Sequence, residues 1–290
     1  MSSPVVSLPG AVQAYFTERD LGVVAEDHLT NGAVNLARRL TLSDGTTAIL
    51  KQGPNPPAGM YAIEAESLDE LRVPGGPRAP KVYSVGDDHL LLEDLGNHDF
   101  PVEGFWEKYA RALATLHSHQ SPKFGYHKNN YLGLLVMDNA WTEDGHEFFG
   151  RTRILRFLEV PLCYDALTPE DRRRVERVAR RLPEFIPKQP ACLLHGDLWW
   201  ANMLISHSGE PAFIDPGIHY GWPEAELAMT LQCGRVPEAF FAAYREINPV
   251  PPGWDERLHL LGIKEELSMT AHFGDRYSLE KLRILLDRFA

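Results

Sequence analysis

The sequence predicts a two-lobed α+β protein: a small N-terminal antiparallel-sheet lobe with one helix, and a larger, mostly helical C-terminal lobe. Three observations predict it. Apolar–polar alternation broken by tight-turn signals fills the first third of the chain. Helical periodicity dominates the remainder. A short connector, Glu93-Asp94-Leu95-Gly96, lies between them and places the lobes at residues 1–95 and 96–290. A chain of 290 residues is ample for that arrangement and its core.

The elements follow in order. Val34, Leu36, Leu40 and Leu42 alternate as a strand, interrupted by Arg38. Asp44-Gly45 then signals a hairpin, with Thr47 to Lys51 as the return strand. Pro54, Pro56, Pro57 and Gly59 make a loop. Met60 to Arg72 has a helical pattern with Ile63, Leu68 and Leu71 near one face, stopped by Pro74-Gly75-Gly76-Pro77. Lys81 to Val85 and His89 to Leu92 read as two further strands. Phe105, Tyr109, Leu113 and Leu116 then recur at helical spacing. Thr168-Pro169-Glu170-Asp171 opens another helix, with Thr168 as cap and Asp171 completing a box. Short strands are expected at 192–194, 203–205 and 212–214, and several helices from Pro223 onward, with Pro251-Pro252-Gly253 between two of them.

Composition excludes several classes. A net charge of −11 lacks the basic footprint of a nucleic-acid binder. The runs Arg172-Arg173-Arg174 and Arg180-Arg181 read as a solvated helix face. Cys163, Cys192 and Cys233 have no regular spacing, as expected of reduced thiols rather than a disulfide frame or zinc site. No apolar run approaches the roughly 20 residues that span a bilayer, and the start lacks a signal-peptide pattern. A cytoplasmic protein without a membrane partner is expected. The composition is compatible with a monomer.

The chemistry concentrates in residues 193–205, LLHGDLWWANMLI. A strand–loop–strand hairpin would explain polar turn residues, but not this choice of groups. Asp197 precedes Asn202 by five positions, and Asp215 follows thirteen later, directly after an apolar strand. The order matches the H-R-D-x-x-x-x-N and D-F-G elements of protein kinases. Mg²⁺ prefers oxygen ligands, which suits Asn202 and Asp215. Asp197 must stay free of metal to take the proton of an attacking hydroxyl. Upstream, Lys51 ends a strand where it can reach the phosphates of ATP, and Glu64, thirteen residues on, can pair with it. The loop Asn31-Gly32-Ala33-Val34-Asn35 can fold over phosphates, with Gly32 and Asn35 as candidates, although it holds one glycine and no G-x-G-x-x-G. Singly, Lys51 reads as an edge-strand lysine, Glu64 as part of a wet helix face, and the glycine loop as an ordinary turn. His195 reads as a hydrogen-bonded core histidine even within the motif. Jointly, the set points to phosphoryl transfer with ATP and Mg²⁺.

These motifs resemble the aminoglycoside phosphotransferase and choline kinase group and, within it, the fructosamine kinase (ketosamine-3-kinase) family. The resemblance is carried by Leu194 to Trp199 with Asn202 and Asp215-Pro216; by Met60 to Glu66; by Leu91 to Leu95; by Phe124 to Gly133 with Asn139-Ala140-Trp141 and Glu147-Phe148-Phe149; and by Tyr220 to Met229, Gly253-Trp254 and His272-Phe273-Gly274. It implies a two-lobed protein-kinase-like fold and ATP-dependent phosphorylation of the sugar 3-hydroxyl of ketosamines, on small molecules or glycated proteins, as a deglycation activity. It further implies that backbone groups of Glu93 and Leu95 take the adenine. Trp199 would stack on the sugar or pack between lobes, and Trp200 would pack. His219, Tyr220, Asn130 and Trp141 are pocket candidates. Glu224 would meet the substrate amine or support its loop. The chain departs from the family pattern at Gly217, where Ala is usual, at Glu226, where Asp is usual, and at Ala33, where some members carry Cys. The longer Glu226 is expected to shift a supporting hydrogen bond. A small-molecule kinase of the aminoglycoside or choline type, and a nucleotide-binding scaffold without catalysis, are the alternatives.

Overall fold

The computed structural model describes residues 8–29, 36–96, 104–232 and 236–290. The N-terminal sheet is antiparallel throughout, in the order β1-β2-β3-β5-β4: β1 (Val23–Leu29), β2 (Leu36–Leu42), β3 (Thr47–Gln52), β4 (Val82–Val85) and β5 (His89–Glu93). The turn after β2 uses Gly45 at φ 84°, and Asp44 Oδ1 accepts from the Thr46 N–H at 2.9 Å. The period-two alternation of β3 decides what faces where. Ala48 and Leu50 join Leu40, Leu42 and Leu91 in a small core, whereas Ile49 and Lys51 face the cleft. Arg38, the interruption in β2, is buried and donates to Glu26 at 2.9 Å and Gln52 at 2.8 Å, so its charge is met within the sheet.

This lobe carries two helices, not the one expected. Helix α1 (Gly10–Thr17) covers the outer face of the sheet through Val12 and Phe16, and α2 (Met60–Glu70) lies on the cleft side. Eight residues with two buried apolar positions are too few for a helical period to stand out. Strand β1 escaped the sequence reading as well, because it has no fully buried residue to set an alternation.

The remaining elements are α3 (Phe105–His117), β6 (Gln120–Ser121), the hairpin β7 (Asn130–Leu132) and β8 (Leu135–Met137), α4 (Gly145–Phe149), α5 (Pro161–Ala166), α6 (Pro169–Phe185), β9 (Ala191–Leu194), β10 (Met203–Ile205), β11 (Pro211–Phe213), β12 (His219–Gly221), α7 (Pro223–Met229), α8 (Glu238–Arg245), α9 (Trp254–Leu261), α10 (Ile263–Phe273) and α11 (Arg276–Phe289). Helix α6 begins with the expected capping box between Thr168 and Asp171. Its arginine runs meet Glu170, Glu184 and Asp287 on the surface. One apolar core links α2, β5 and the helical lobe. Cys163 and Cys192 are free and buried, and Cys233 lies outside the described residues. Among the described residues, no helix is long and apolar enough to cross a membrane.

The segment 193–205 is not a hairpin. Strand β9 pairs with β12 and β6, while β10 pairs with β11. The loop 195–202 therefore spans two separate small sheets, each of which fixes one end of it.

Candidate active site

A cavity of about 680 Å³ lies between the N-terminal sheet and the helical lobe. Lys51, Glu64, Glu93 and Leu95 border it from one side, and Asp197, Trp199, Asn202 and Asp215 from the other. The hairpin β7–β8 closes one edge with Asn130 and Tyr131. Tyr131 Oη donates to the Ala58 carbonyl at 3.0 Å, and His272 Nε2 meets the Leu132 carbonyl at 2.9 Å, which pins this edge from both flanks.

Lys51 is 4% exposed and forms ion pairs with Glu64, at 2.5 Å, and with Asp215. Burial alone would lower its proton affinity, but the Asp215 and Glu64 carboxylates outweigh burial and push it up. Asp215 reaches Lys51 from a left-handed backbone at φ 57°, a conformation unusual for a residue with a side chain. The backbone on either side holds it there: Ile214 N–H donates to the Asn202 carbonyl at 3.1 Å, and Gly217 N–H to that of His195 at 2.9 Å.

Asp197 is pushed up to about 7, first by burial and then by the Glu265 and Asp215 charges, against the pull of Lys264 and the Asn202 hydrogen bond. Asn202 Nδ2 donates to the Asp197 carbonyl at 2.7 Å and to its Oδ2 at 3.2 Å. Its amide nitrogen thus faces Asp197, leaving the amide oxygen as the free donor atom for a cation. Asn202 and Asp215 bring two side-chain oxygens to the cavity that a cation could use. That donor set fits Mg²⁺, which is held by few protein oxygens together with phosphates and water.

His195 is fully buried, and burial holds its proton affinity down. Its Nδ1 accepts from the Asp197 N–H at 3.3 Å, so Nε2 carries the proton and donates to the Ile214 carbonyl at 2.9 Å. It is the core histidine expected, tying the two loops together. Glu226 sits behind it. One oxygen accepts from His195 N–H at 2.9 Å and the other from Gly196 N–H at 2.6 Å, while His117 Nε2 lies 3.0 Å away. The longer side chain therefore takes both loop amides at once. The contribution of His117, on α3, was not visible in the sequence.

Gly196 has φ 86°, and a Cβ there would overlap the Gly217 carbonyl. A Cβ on Gly217 would meet only Tyr131 O at 3.5 Å and Asn130 Nδ2 at 3.9 Å, ordinary contact distances. Gly217→Ala, the usual family residue, is therefore expected to change stability by no more than about 0.5 kcal/mol. Gly196→Ala should cost at least about 1–2 kcal/mol from its backbone conformation alone, with a loss of activity. Chemical denaturation of both variants checks this pair.

The other candidates divide. Asn130 is buried and bonds the Ile218 carbonyl at 2.7 Å through Nδ2. Trp199 and Trp200 border the cavity as an edge-to-face pair 5.5 Å apart, with Trp200 45% exposed. His219, Tyr220, Trp141 and Glu224 do not border it. His219 is buried against Phe148, and desolvation keeps its ring neutral. Tyr220 packs its ring on Trp141 at 5.9 Å. Glu224 is 1% exposed and locked in a two-pronged pair with Arg257, both contacts 2.6 Å. Of the two readings of Glu224, this geometry favours support of its loop. Glu224→Ala should cost about 3–5 kcal/mol by stranding a buried guanidinium, whereas the milder Glu224→Gln should leave acceptor KM unchanged. Urea denaturation beside steady-state kinetics reads both. Gly32 and Asn35 lie outside the described residues.

Sequence reasoning missed one wall of the cavity. Glu265, Ser268, Met269, His272 and Phe273 of α10 all border it. Their i, i+3, i+4, i+7, i+8 spacing is one helix face, the signal that could have revealed them.

The hinge offers a donor. The Leu95 carbonyl accepts from His207 N–H at 2.9 Å, while the Leu95 N–H has no partner among the described residues. Ile49, Leu92, Leu204 and Ile214 give the cavity apolar walls nearby. A flat heterocycle with an acceptor nitrogen fits such a slot.

The sequence profile of the fructosamine kinase family matches residues 12–289. The chain belongs to the fructosamine kinase family. A protein of Enterococcus faecium named as a ketoamine kinase is 31% identical over 263 residues, covering 89% of this chain and 92% of its own length. The chloroplastic protein-ribulosamine 3-kinase of Arabidopsis thaliana is 28% identical over 268 residues, covering 88% of this chain and 80% of its own. A solved structure from Thermobifida fusca, named as a fructosamine-3-kinase, superposes with a TM-score of 0.84 at 32% identity, over 96% of this chain and 99% of that one. This fructosamine kinase family member is accordingly a phosphotransferase with a hydroxyl acceptor, on a two-lobed kinase-like fold.

Proposed function

We propose that this kinase transfers the γ-phosphoryl group of ATP, with Mg²⁺, to the sugar 3-hydroxyl of ketosamines, acting in deglycation of free amines or protein in the cytoplasm. The observation that carries the reading is the convergence of Asp197, Asn202 and Asp215 opposite the Lys51–Glu64 pair in one cavity, in a chain with ketoamine and ribulosamine kinase relatives. Lys51, fixed by Glu64, binds phosphate oxygens. The hinge at Glu93 and Leu95, where the lobes meet, holds the adenine through backbone groups. Gly32 and Asn35, outside the described residues, are assigned to the phosphates from their place in the sequence. Asp197 orients the acceptor hydroxyl and takes its proton, and a carboxylate with a proton affinity near neutrality suits that task. Asn202 and Asp215 hold Mg²⁺, which neutralises phosphate charge when bound. Trp199 offers an indole face to the sugar.

An acceptor panel tests the assignment: a ribulosamine and a fructosamine of lysine, an aminoglycoside and choline, each with Mg-ATP, with ADP release as readout. The expected result is turnover of the ketosamines at the highest kcat/KM. Preferential turnover of the aminoglycoside or choline would overturn it.

A further inference from the structure

A ketosamine carries its cationic nitrogen close to the reacting group. The path from nitrogen through C1, C2 and C3 to the 3-oxygen is four bonds, so the two heteroatoms lie within about 5 Å at bond lengths of about 1.5 Å. An enzyme that sets the 3-hydroxyl on Asp197 must therefore meet an ammonium near that carboxylate, inside the same cavity. Among the described residues, six carboxylates border it: Glu64, Glu93, Asp94, Asp197, Asp215 and Glu265. Glu64 and Asp215 share Lys51, Glu93 pairs with Arg78, and Asp94 pairs with Arg39. Asp197 is assigned to the hydroxyl proton. Glu265 remains.

Glu265 is 5% exposed and projects from the missed wall, α10. Its carboxylate is only half met. Oε2 accepts from Lys264 Nζ at 3.1 Å, whereas Oε1, 2.9 Å from the same nitrogen, is buried without an aligned hydrogen-bond donor. A carboxylate has about four acceptor positions, so capacity remains for a second cation. A buried acceptor left without a donor is costly and rare in native structures, so this one calls for a partner. Its charge also acts on Asp197, which places the two carboxylates within electrostatic reach.

We propose that Glu265, steadied by Lys264, is the ammonium subsite of the acceptor pocket and makes the enzyme select acceptors that are charged at the nitrogen on C1. The inference rests on the ketosamine reading above and names the group that enforces it. Glu265 is a specificity residue and takes no part in proton or phosphoryl transfer.

The test is calorimetric titration, under saturating Mg-ADP, of an N-methyl ketosamine and of its neutral O-methyl ether isostere. The wild type is expected to bind the ammonium compound about 10- to 100-fold more tightly, the scale of one charge-assisted hydrogen bond. Glu265→Gln should remove that preference while leaving the affinity of the ether unchanged, and Glu265→Asp should retain part of it. In turnover, Glu265→Gln should raise KM for the ketosamine with a smaller effect on kcat. Equal wild-type affinity for the two compounds overturns the proposal without any variant having to fold. Equal losses for both compounds in Glu265→Gln also overturn it, leaving Glu265 a packing element. Absence of ketosamine binding and turnover in the wild type would overturn the functional reading itself, and this inference with it.

Discussion

Asp197→Asn is expected to lower kcat by about 10²- to 10⁴-fold, the range lost when a general base is removed. Asparagine keeps the size of the side chain and one oxygen for the Asn202 amide, and the stronger Asn202 bond goes to the backbone carbonyl, which the substitution does not touch. The loop should therefore keep its shape, and Mg-ATP affinity should be retained. A loss of nucleotide affinity of about tenfold or more, ~1.4 kcal/mol, would contradict the assigned role. Stability gives a second readout. A carboxyl with a raised folded-state pKa is ionised at a cost to the fold at pH values above that pKa. The variant without metal or nucleotide should therefore melt no lower than the wild type at pH 8. Kinetics, nucleotide titration and a thermal melt on one preparation separate loss of chemistry from loss of structure.

Glu226→Ala should be the most damaging substitution for the fold of the site. The carboxylate is 2% exposed and serves the His195 and Gly196 amides and the His117 ring together. Its removal leaves those donors buried without an acceptor and should cost about 3–5 kcal/mol, read by urea denaturation. Glu226→Asp, which restores the usual family residue, is one methylene too short to keep both amides in this backbone, and an intermediate loss is expected. Burial opposes ionisation of Glu226, but the His117 hydrogen bond and charge and the His195 and Gly196 contacts outweigh it and hold the pKa below its ordinary value. The sign follows. The lowered folded pKa means this stabilisation is complete above the unfolded value, about 4.3, and is lost as pH falls through the folded one. The stability gap between wild type and Glu226→Gln should therefore narrow below about pH 4 and be widest near neutrality.

The sequence was legible where the chemistry is local. Asp197 and Asn202 occupy one loop, Asp215 closes the next strand, and residue type and spacing alone brought them to one cavity. Lys51 and Glu64 could be paired in advance because a strand followed by a helix leaves few ways to place them. The Thr168 box was equally local. What the sequence left open depended on distant partners. Glu224 and Glu226 lie two residues apart in one segment, yet one pairs with Arg257, thirty-three residues away, and the other with His117 and the His195 and Gly196 amides. No periodicity distinguishes them. The charged run Lys264-Glu265-Glu266 gives no sequence sign of burial, yet all three residues are buried because α10 packs between its neighbours and the cavity. Tyr220 follows the Asp215 loop in sequence, but its ring packs on Trp141 and neither residue borders the cavity.

Asp197 is proposed to direct phosphoryl transfer to a ketosamine hydroxyl. Its most direct test is product formation from Mg-ATP and a lysine ribulosamine, with ADP and phosphorylated sugar quantified together and the phosphate position assigned by NMR, for wild type and Asp197→Asn. One 3-phosphate per ADP is expected in the wild type, with near-complete loss of both in the variant. ADP release that is independent of the ribulosamine, or a variant that phosphorylates it as fast as the wild type, would contradict it.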